Sequence, residues 1–220
     1  MKRTFSEITK SSPLPPSPFF LPAKKTYQIS SPWALTKNYL DSKEAKELFA
    51  ELLTLPYEAE VVRGRECLRK CLHFSTDPAN IKYTYAGTQH PTKQIPEVLL
   101  KLLKKLPDAE NYAYNYCLVN YYPDGKAGMG FHSDSLEGLV TPVQIASLSL
   151  GATRNFVLAE KNPAIPSAPR KYSMLLSQGD LLIMGPGCQE NWVHGVPSTA
   201  VKSVGPRINL TFRKISVSQN

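Results

Sequence analysis

The sequence predicts an α+β domain in which helices come first and a β-sandwich or barrel follows. Three observations carry this. Two amphipathic stretches with helical spacing occupy the first half. From about residue 111 onward, short aromatic and β-branched runs are separated by turn chemistry. A last run, 207–213, alternates apolar and polar side chains without a break. The 220 residues suffice for one good-sized domain, and 42% apolar content can fill a core.

Residues 1–26 hold five prolines (Pro13, Pro15, Pro16, Pro18, Pro22) among Ser and Lys, so an extended, disordered tail is expected there. The folded domain is expected over 27–216, with a short tail at 217–220. A first helix is predicted near 42–53. Asp41 caps it, Glu44 completes a capping box, and Ala45, Leu48, Phe49, Leu52 and Leu53 form its apolar stripe. A second helix is predicted with Pro96 in its first turn, where the missing N–H costs nothing. It buries Val98, Leu99, Leu102, Leu103 and Leu106, exposes Lys101, Lys104 and Lys105, and stops at Pro107. Strands are predicted at Asn115–Tyr122, Val143–Leu150, Asn155–Leu158, Tyr172–Leu176 and Asp180–Ile183. The last strand is the clearest: Ile208, Leu210 and Phe212 share one face, and Arg207, Asn209, Thr211 and Arg213 share the other.

Nothing approaches ~18 consecutive apolar residues, so no membrane span is expected. Met1-Lys2-Arg3-Thr4-Phe5 has a basic start without an apolar stretch behind it, which argues against a secretory signal. Cys67, Cys71, Cys117 and Cys188 form no Cys-x-x-Cys pair, as befits an intracellular protein with reduced thiols. The net charge of +8 favours polyanionic partners, although it also fits a merely basic soluble protein.

Only four histidines occur, His73, His90, His132 and His194. His132 and Asp134 stand as His-Ser-Asp after a glycine-punctuated stretch, Asp124–Gly130. In a strand the two side chains would point the same way. With His194 they would make the two-imidazole, one-carboxylate set that leaves iron positions open. Taken alone, a His-x-Asp pair often occurs by chance.

The wider set is more particular. His132-x-Asp134, then His194, then Arg207-Ile208-Asn209-Leu210-Thr211-Phe212-Arg213 resembles the AlkB family's ordered motifs, the last nearly letter for letter. Leu118-Val119-Asn120-Tyr121-Tyr122, Ser147–Arg154 and Gly179–Met184 are similar to that family's inner strands, in the same order. The resemblance spans roughly residues 27–215 and is closest to AlkB homologues two and three, the eukaryotic nucleic-acid dealkylases.

The resemblance implies a double-stranded β-helix (jelly-roll) core at about 111–216, flanked by N-terminal helices, with a nucleotide-recognition part at about 55–110. It implies Fe(II) on His132, Asp134 and His194, with 2-oxoglutarate and O2 as co-substrates. Arg213 would lie nearer the metal and Arg207 would clamp the far carboxylate of 2-oxoglutarate, with Asn120, Tyr122 and Asn209 donating hydrogen bonds. The implied activity is oxidative demethylation of 1-methyladenine- or 3-methylcytosine-like bases in DNA or RNA, releasing formaldehyde and succinate, as dealkylation repair.

A base must leave its stack to reach such a site. Tyr83 and Tyr85 match the family's pocket aromatics, and His132 would stack on the other side of the base. Without that match, the tyrosines read as half-buried strand packing. Leu136 stands where homologue two carries an acidic base contact, so Glu137 or Ser135 is expected to substitute. Val62-Arg63-Gly64-Arg65 replaces an aromatic finger, and an arginine grips phosphate rather than plugging a vacated stack. Single-stranded DNA or RNA is therefore expected over duplex, bound by a monomer resident in the nucleus, with the cytoplasm as an alternative. Arg63, Arg65, Arg69, Lys70 and the lysine face of the second helix are expected phosphate contacts. Two rival readings keep the fold: the same chemistry on a regulatory nucleic-acid mark or protein side chain, and a nucleic-acid-binding module without turnover.

Overall fold

The computed structural model describes residues 32–62, 64–85, 87–106, 112–163 and 169–217. The expected N-terminal tail, Arg63, Pro107 and residues 218–220 lie outside them, as do the side chains of Val62, Arg65 and Tyr85.

The elements run β1 (Trp33–Thr36), α1 (Ser42–Leu53), β2 (Glu58–Val62), β3 (Arg65–Ser75), β4 (Tyr83–Tyr85), β5 (Thr88–His90), β6 (Lys93–Gln94) and α2 (Glu97–Lys105). Then follow β7 (Tyr116–Tyr122), β8 (Met129–His132), β9 (Ile145–Gly151), β10 (Arg154–Glu160), β11 (Lys171–Leu176), β12 (Leu181–Met184), α3 (Cys188–Asn191), β13 (Trp192–Val196) and β14 (Arg207–Arg213). A major sheet has the order β1-β12-β9-β14-β7-β3-β2, with β6 alongside β3. A minor sheet has the order β11-β10-β13-β8, and β4 pairs with β5 as a separate hairpin.

Three layers result. Leu48, Leu52, Leu99, Leu102 and Leu103 of the helices bury against Val119, Leu148, Ile208, Leu210 and Phe212 on one face of the major sheet. The opposite face packs Tyr116, Leu118 and Ile145 against Phe156, Leu158 and Trp192 of the minor sheet. Two sheets packed face to face, antiparallel except for the β3–β6 pair, with α1 and α2 on one side, form the double-stranded β-helix expected from the sequence.

Helix α1 starts as predicted: the Asp41 carboxylate accepts the Lys43 and Glu44 N–H groups at 2.9 and 2.8 Å. Glu44 does not close the capping box. Its carboxylate takes the Lys105 ammonium instead, tying α1 to the end of α2. Pro96 is the N-cap of α2 rather than a residue of its first turn, and Val98 is only half-buried there. Asp180 sits just before β12 rather than in it, because its carboxylate receives the Ser177 and Asn38 N–H groups at 2.7 and 3.1 Å.

Strand β14 pairs with β7 on one side and β9 on the other, so every residue of it is buried. Its apolar face meets the helices. Its polar face, with four of the site's side chains, looks between the sheets.

Candidate active site

A cavity of ≈ 630 Å³ lies between the sheets. From β14 it takes Arg207, Asn209, Thr211 and Arg213, and from β7 Asn120 and Tyr122, because alternate residues of adjacent strands share a face. Leu118, Phe156 and Val196 supply apolar wall.

His132 closes β8 and stands directly opposite His194 of β13. The two strands approach closely at glycine: a Cβ on Gly195 would lie 2.9 Å from the Met129 carbonyl, and one on Gly128 2.8 Å from that of Val196. Asp134 is not in the strand, as the His-x-Asp spacing had suggested, but in the segment after it. Its N–H donates to Gln189 Oε1 at 2.9 Å, which turns the carboxylate back toward the imidazoles. Asp134 Oδ1 is 3.6 Å from His132 Nε2 and 3.9 Å from His194 Nε2. All three donor atoms lie within 4.8 Å of one another.

The protonation states suit a divalent metal. His132 Nδ1 is 2.9 Å from the Gly130 carbonyl, which can only accept, so Nδ1 is the donor there and Nε2 is the nitrogen turned toward Asp134. Burial pushes His194 down to about 4, leaving it neutral near pH 7. Burial alone would raise the Asp134 carboxyl, but the Arg213 guanidinium and the two imidazoles outweigh it and hold the group well below the usual carboxylate range. Arg213 Nη2 donates to Asp134 Oδ2 at 2.7 Å. A carboxylate and two imidazoles on one side of a point are the facial donor set of a non-haem Fe(II) site.

Arg207 is 1% exposed; its Nη2 donates to Ser149 Oγ at 3.0 Å, while Nε and Nη1 have no partner. Burial lowers its pKa. A buried guanidinium with unpaired donors on a cavity wall is what the far carboxylate of a keto-diacid requires. The Tyr122 ring lies beside it, 5.1 Å from the guanidinium carbon.

Asn209 behaves differently from the expectation. Its amide nitrogen already donates to Ser147 Oγ at 2.9 Å and the Leu148 carbonyl at 3.1 Å, and its oxygen accepts from Thr211 at 2.9 Å. It locks the cavity floor rather than offering a free donor. Arg69 is also reassigned. It is buried, paired with Glu60 and bonded to the Asn120 amide oxygen, so it belongs to the cavity wall and not to a phosphate surface. The β3 run Cys67, Arg69, Cys71, His73 gave no clear inward signal, because a cavity-facing row mixes polar and apolar residues.

Of the expected substrate contacts, Tyr83 is in the wall, but it is 2% exposed and one face carries the Arg213 guanidinium at 4.7 Å. Its hydroxyl donates to the Ser135 carbonyl at 3.0 Å. Tyr85 lies two residues along β4 and Arg65 opens β3. Glu137 is exposed and outside the wall; Ser135 takes its place there, accepting the Glu137 N–H at 3.2 Å. The lysines of α2 belong to the helical layer, across the major sheet from the cavity, where Lys101 and Lys105 pair with Glu97 and Glu44. Among the described residues, no helix is long and apolar enough to cross a membrane.

Fold and site together define an iron(II)- and 2-oxoglutarate-dependent dioxygenase, an oxidoreductase that takes O2 as co-substrate. Residues 33–213 match the 2OG-Fe(II) oxygenase superfamily, and the chain belongs to it. Within that superfamily it is 31% identical over 212 residues to the alpha-ketoglutarate-dependent dioxygenase alkB homolog 3 of Bos taurus, covering 91% of this chain and 74% of that protein. It is 34% identical over 145 residues to the DNA oxidative demethylase ALKBH2 of Homo sapiens, covering 64% and 55%. In fold it is similar to the solved structure of OsALKBH1, with TM-score 0.56 and 22% identity over 83% of this chain and 98% of that one.

Proposed function

We propose that this dioxygenase removes methyl groups from N-alkylated bases of the 1-methyladenine and 3-methylcytosine type, in single strands of DNA or RNA, as a monomeric dealkylation-repair enzyme of the nucleus. The observation that carries the reading is the placement of the triad and both buried arginines on one cavity of ≈ 630 Å³, large enough for a base outside its stack. The relatives' names, alkB homolog 3 and DNA oxidative demethylase, supply the substrate class.

His132, Asp134 and His194 would hold the iron. When bound, iron with 2-oxoglutarate and O2 supplies the oxidising power that hydroxylates an N-methyl group, which then leaves as formaldehyde. The chain's own residues do the rest. Arg213 keeps Asp134 ionised and fixes one of its oxygens, so the other is presented toward the two imidazoles. Arg207 holds the far carboxylate of the co-substrate, with Tyr122 beside it. Asn120, fixed by Arg69 and by Asn209 at 3.4 Å, lines the floor. Leu118, Phe156 and Val196 keep water from the reacting methyl group. Ser135, rather than Glu137, offers a hydroxyl to the base edge, while Tyr83 braces the segment carrying Asp134.

The test compares methylated oligonucleotides, single-stranded and duplex, by formaldehyde and succinate released per methyl lost. Equal amounts of both, formed faster on single strands, are expected. Succinate without formaldehyde from any methylated nucleic acid would sink the substrate assignment while leaving the dioxygenase intact.

A further inference from the structure

Phe131 immediately precedes His132 and is 53% exposed. Among the described residues it is the one aromatic in the set of exposed large apolar side chains, and the one member of that set that lines the cavity. It lies on β8, the outer strand of the minor sheet. Edge strands are usually blunted by charge or proline, yet this one reads Met129-Gly130-Phe131-His132. An unpacked, uncharged aromatic at the exposed edge of the cavity wall calls for a flat partner.

The strand fixes the backbone that carries the ring. Gly195 and Gly128 let β8 lie so close to β13 that no side chain could separate them, with clearances of 2.9 and 2.8 Å at a Cβ. The ring therefore stands on a rigid base one residue from the metal triad. Phe131 adjoins His132 and lines the same cavity, so a base that leaves its stack to reach the triad leaves its strand neighbour beside this exposed ring.

We propose that Phe131 is the stacking platform for the nucleobase adjacent to the methylated one, and that it contributes the preference for single strands. The proposal rests on the nucleic-acid reading above. An unpaired neighbour can rotate onto the ring, whereas a paired one must first leave its partner.

The experiment places 2-aminopurine next to 1-methyladenine in a single-stranded oligonucleotide and measures fluorescence quenching, binding anisotropy and demethylation for wild type, Phe131→Ala and Phe131→Trp. Wild type and Phe131→Trp should quench. Phe131→Ala should not, and its KM should rise roughly tenfold with kcat unchanged. With abasic sites flanking the methylated base, all three proteins should behave alike. Full quenching by Phe131→Ala, or the same loss on the abasic-flanked strand, would overturn the platform role. Quenching without formaldehyde release would uphold the platform and defeat the demethylation reading. Absence of any oligonucleotide binding by wild type would overturn both.

Discussion

At Asp134 two demands meet: the carboxylate must be buried enough to sit beside an enclosed metal, and ionised enough to bind it. Arg213 reconciles them with one hydrogen bond of 2.7 Å and a full buried charge. Replacing Arg213 by Met should let burial win, raising the Asp134 carboxyl, so that protons compete with the metal. Fe(II) or Mn(II) affinity, followed by titration, should fall roughly 10- to 100-fold, and the deficit should shrink as pH is raised. Affinity unchanged at all pH values would contradict this. Arg207→Met acts elsewhere: KM for 2-oxoglutarate should rise roughly 10- to 100-fold with metal affinity unaffected, since a charge-assisted contact is lost. At this scale much could be read from sequence, because the polar face of 207–213 announced itself by alternation. Arg69 and Glu137 could not be read. Whether a charged side chain is buried in a pair or turned to solvent depends on the fold around it: Glu60 and Asn120 hold Arg69 inside, and Glu137 stands in an exposed turn.

Among the elements, the β8–β13 pair is the part on which the site depends most. It sets His132 against His194, and glycine permits its closeness. Gly195→Ala should push β8 outward, because the added methyl meets the Met129 carbonyl at 2.9 Å. The cost should be about 1–3 kcal/mol of stability, and metal affinity should fall with it. Thermal unfolding with and without metal measures both, and a variant that binds metal normally would show that the strand spacing is not critical. Helix α1 and strand β14 were legible from their patterns. Strands β8 and β13 were not, since Met129–His132 and Trp192–Val196 are too short and too glycine-broken to show a period. Strand β3 was missed although it has eleven residues. Leu72 and Phe74 face the helices while Arg69 faces the cavity, so neither of its faces is uniformly apolar.

For the molecule as a whole, the major sheet separates an apolar layer under the helices from the cavity that holds the triad and both arginines on its other side. Burying histidines near that cavity has a consequence for acid stability. Burial, then His90, Arg213 and Arg69, push His73 from 6.5 down to about 3. Between those values the unfolded chain takes up a proton that the folded chain refuses. Stability is therefore full above pH 6.5 and falls as pH drops toward 3, by up to about 1.4 kcal/mol per pH unit from this group. Denaturant melts should show a shallower acid slope for His73→Gln, and an unchanged slope would refute the assignment. Fold class was legible from two amphipathic helices and the short strands after residue 111; that β1 precedes α1 and that β2–β6 lie between the helices was not, nor was the layering, which is set by which face of each strand is covered.

The central claim, that the triad and its arginines remove methyl groups from bases, is tested most directly by mass spectrometry. A single-stranded oligonucleotide carrying 1-methyladenine is incubated with the protein, Fe(II), 2-oxoglutarate and ascorbate, with His132→Ala as the blank. Loss of one methyl group in the wild-type reaction and none in the blank is the predicted result. An unchanged oligonucleotide mass, alongside succinate that forms only when His132 is present, would mean that the iron site works and that its substrate is not a methylated base.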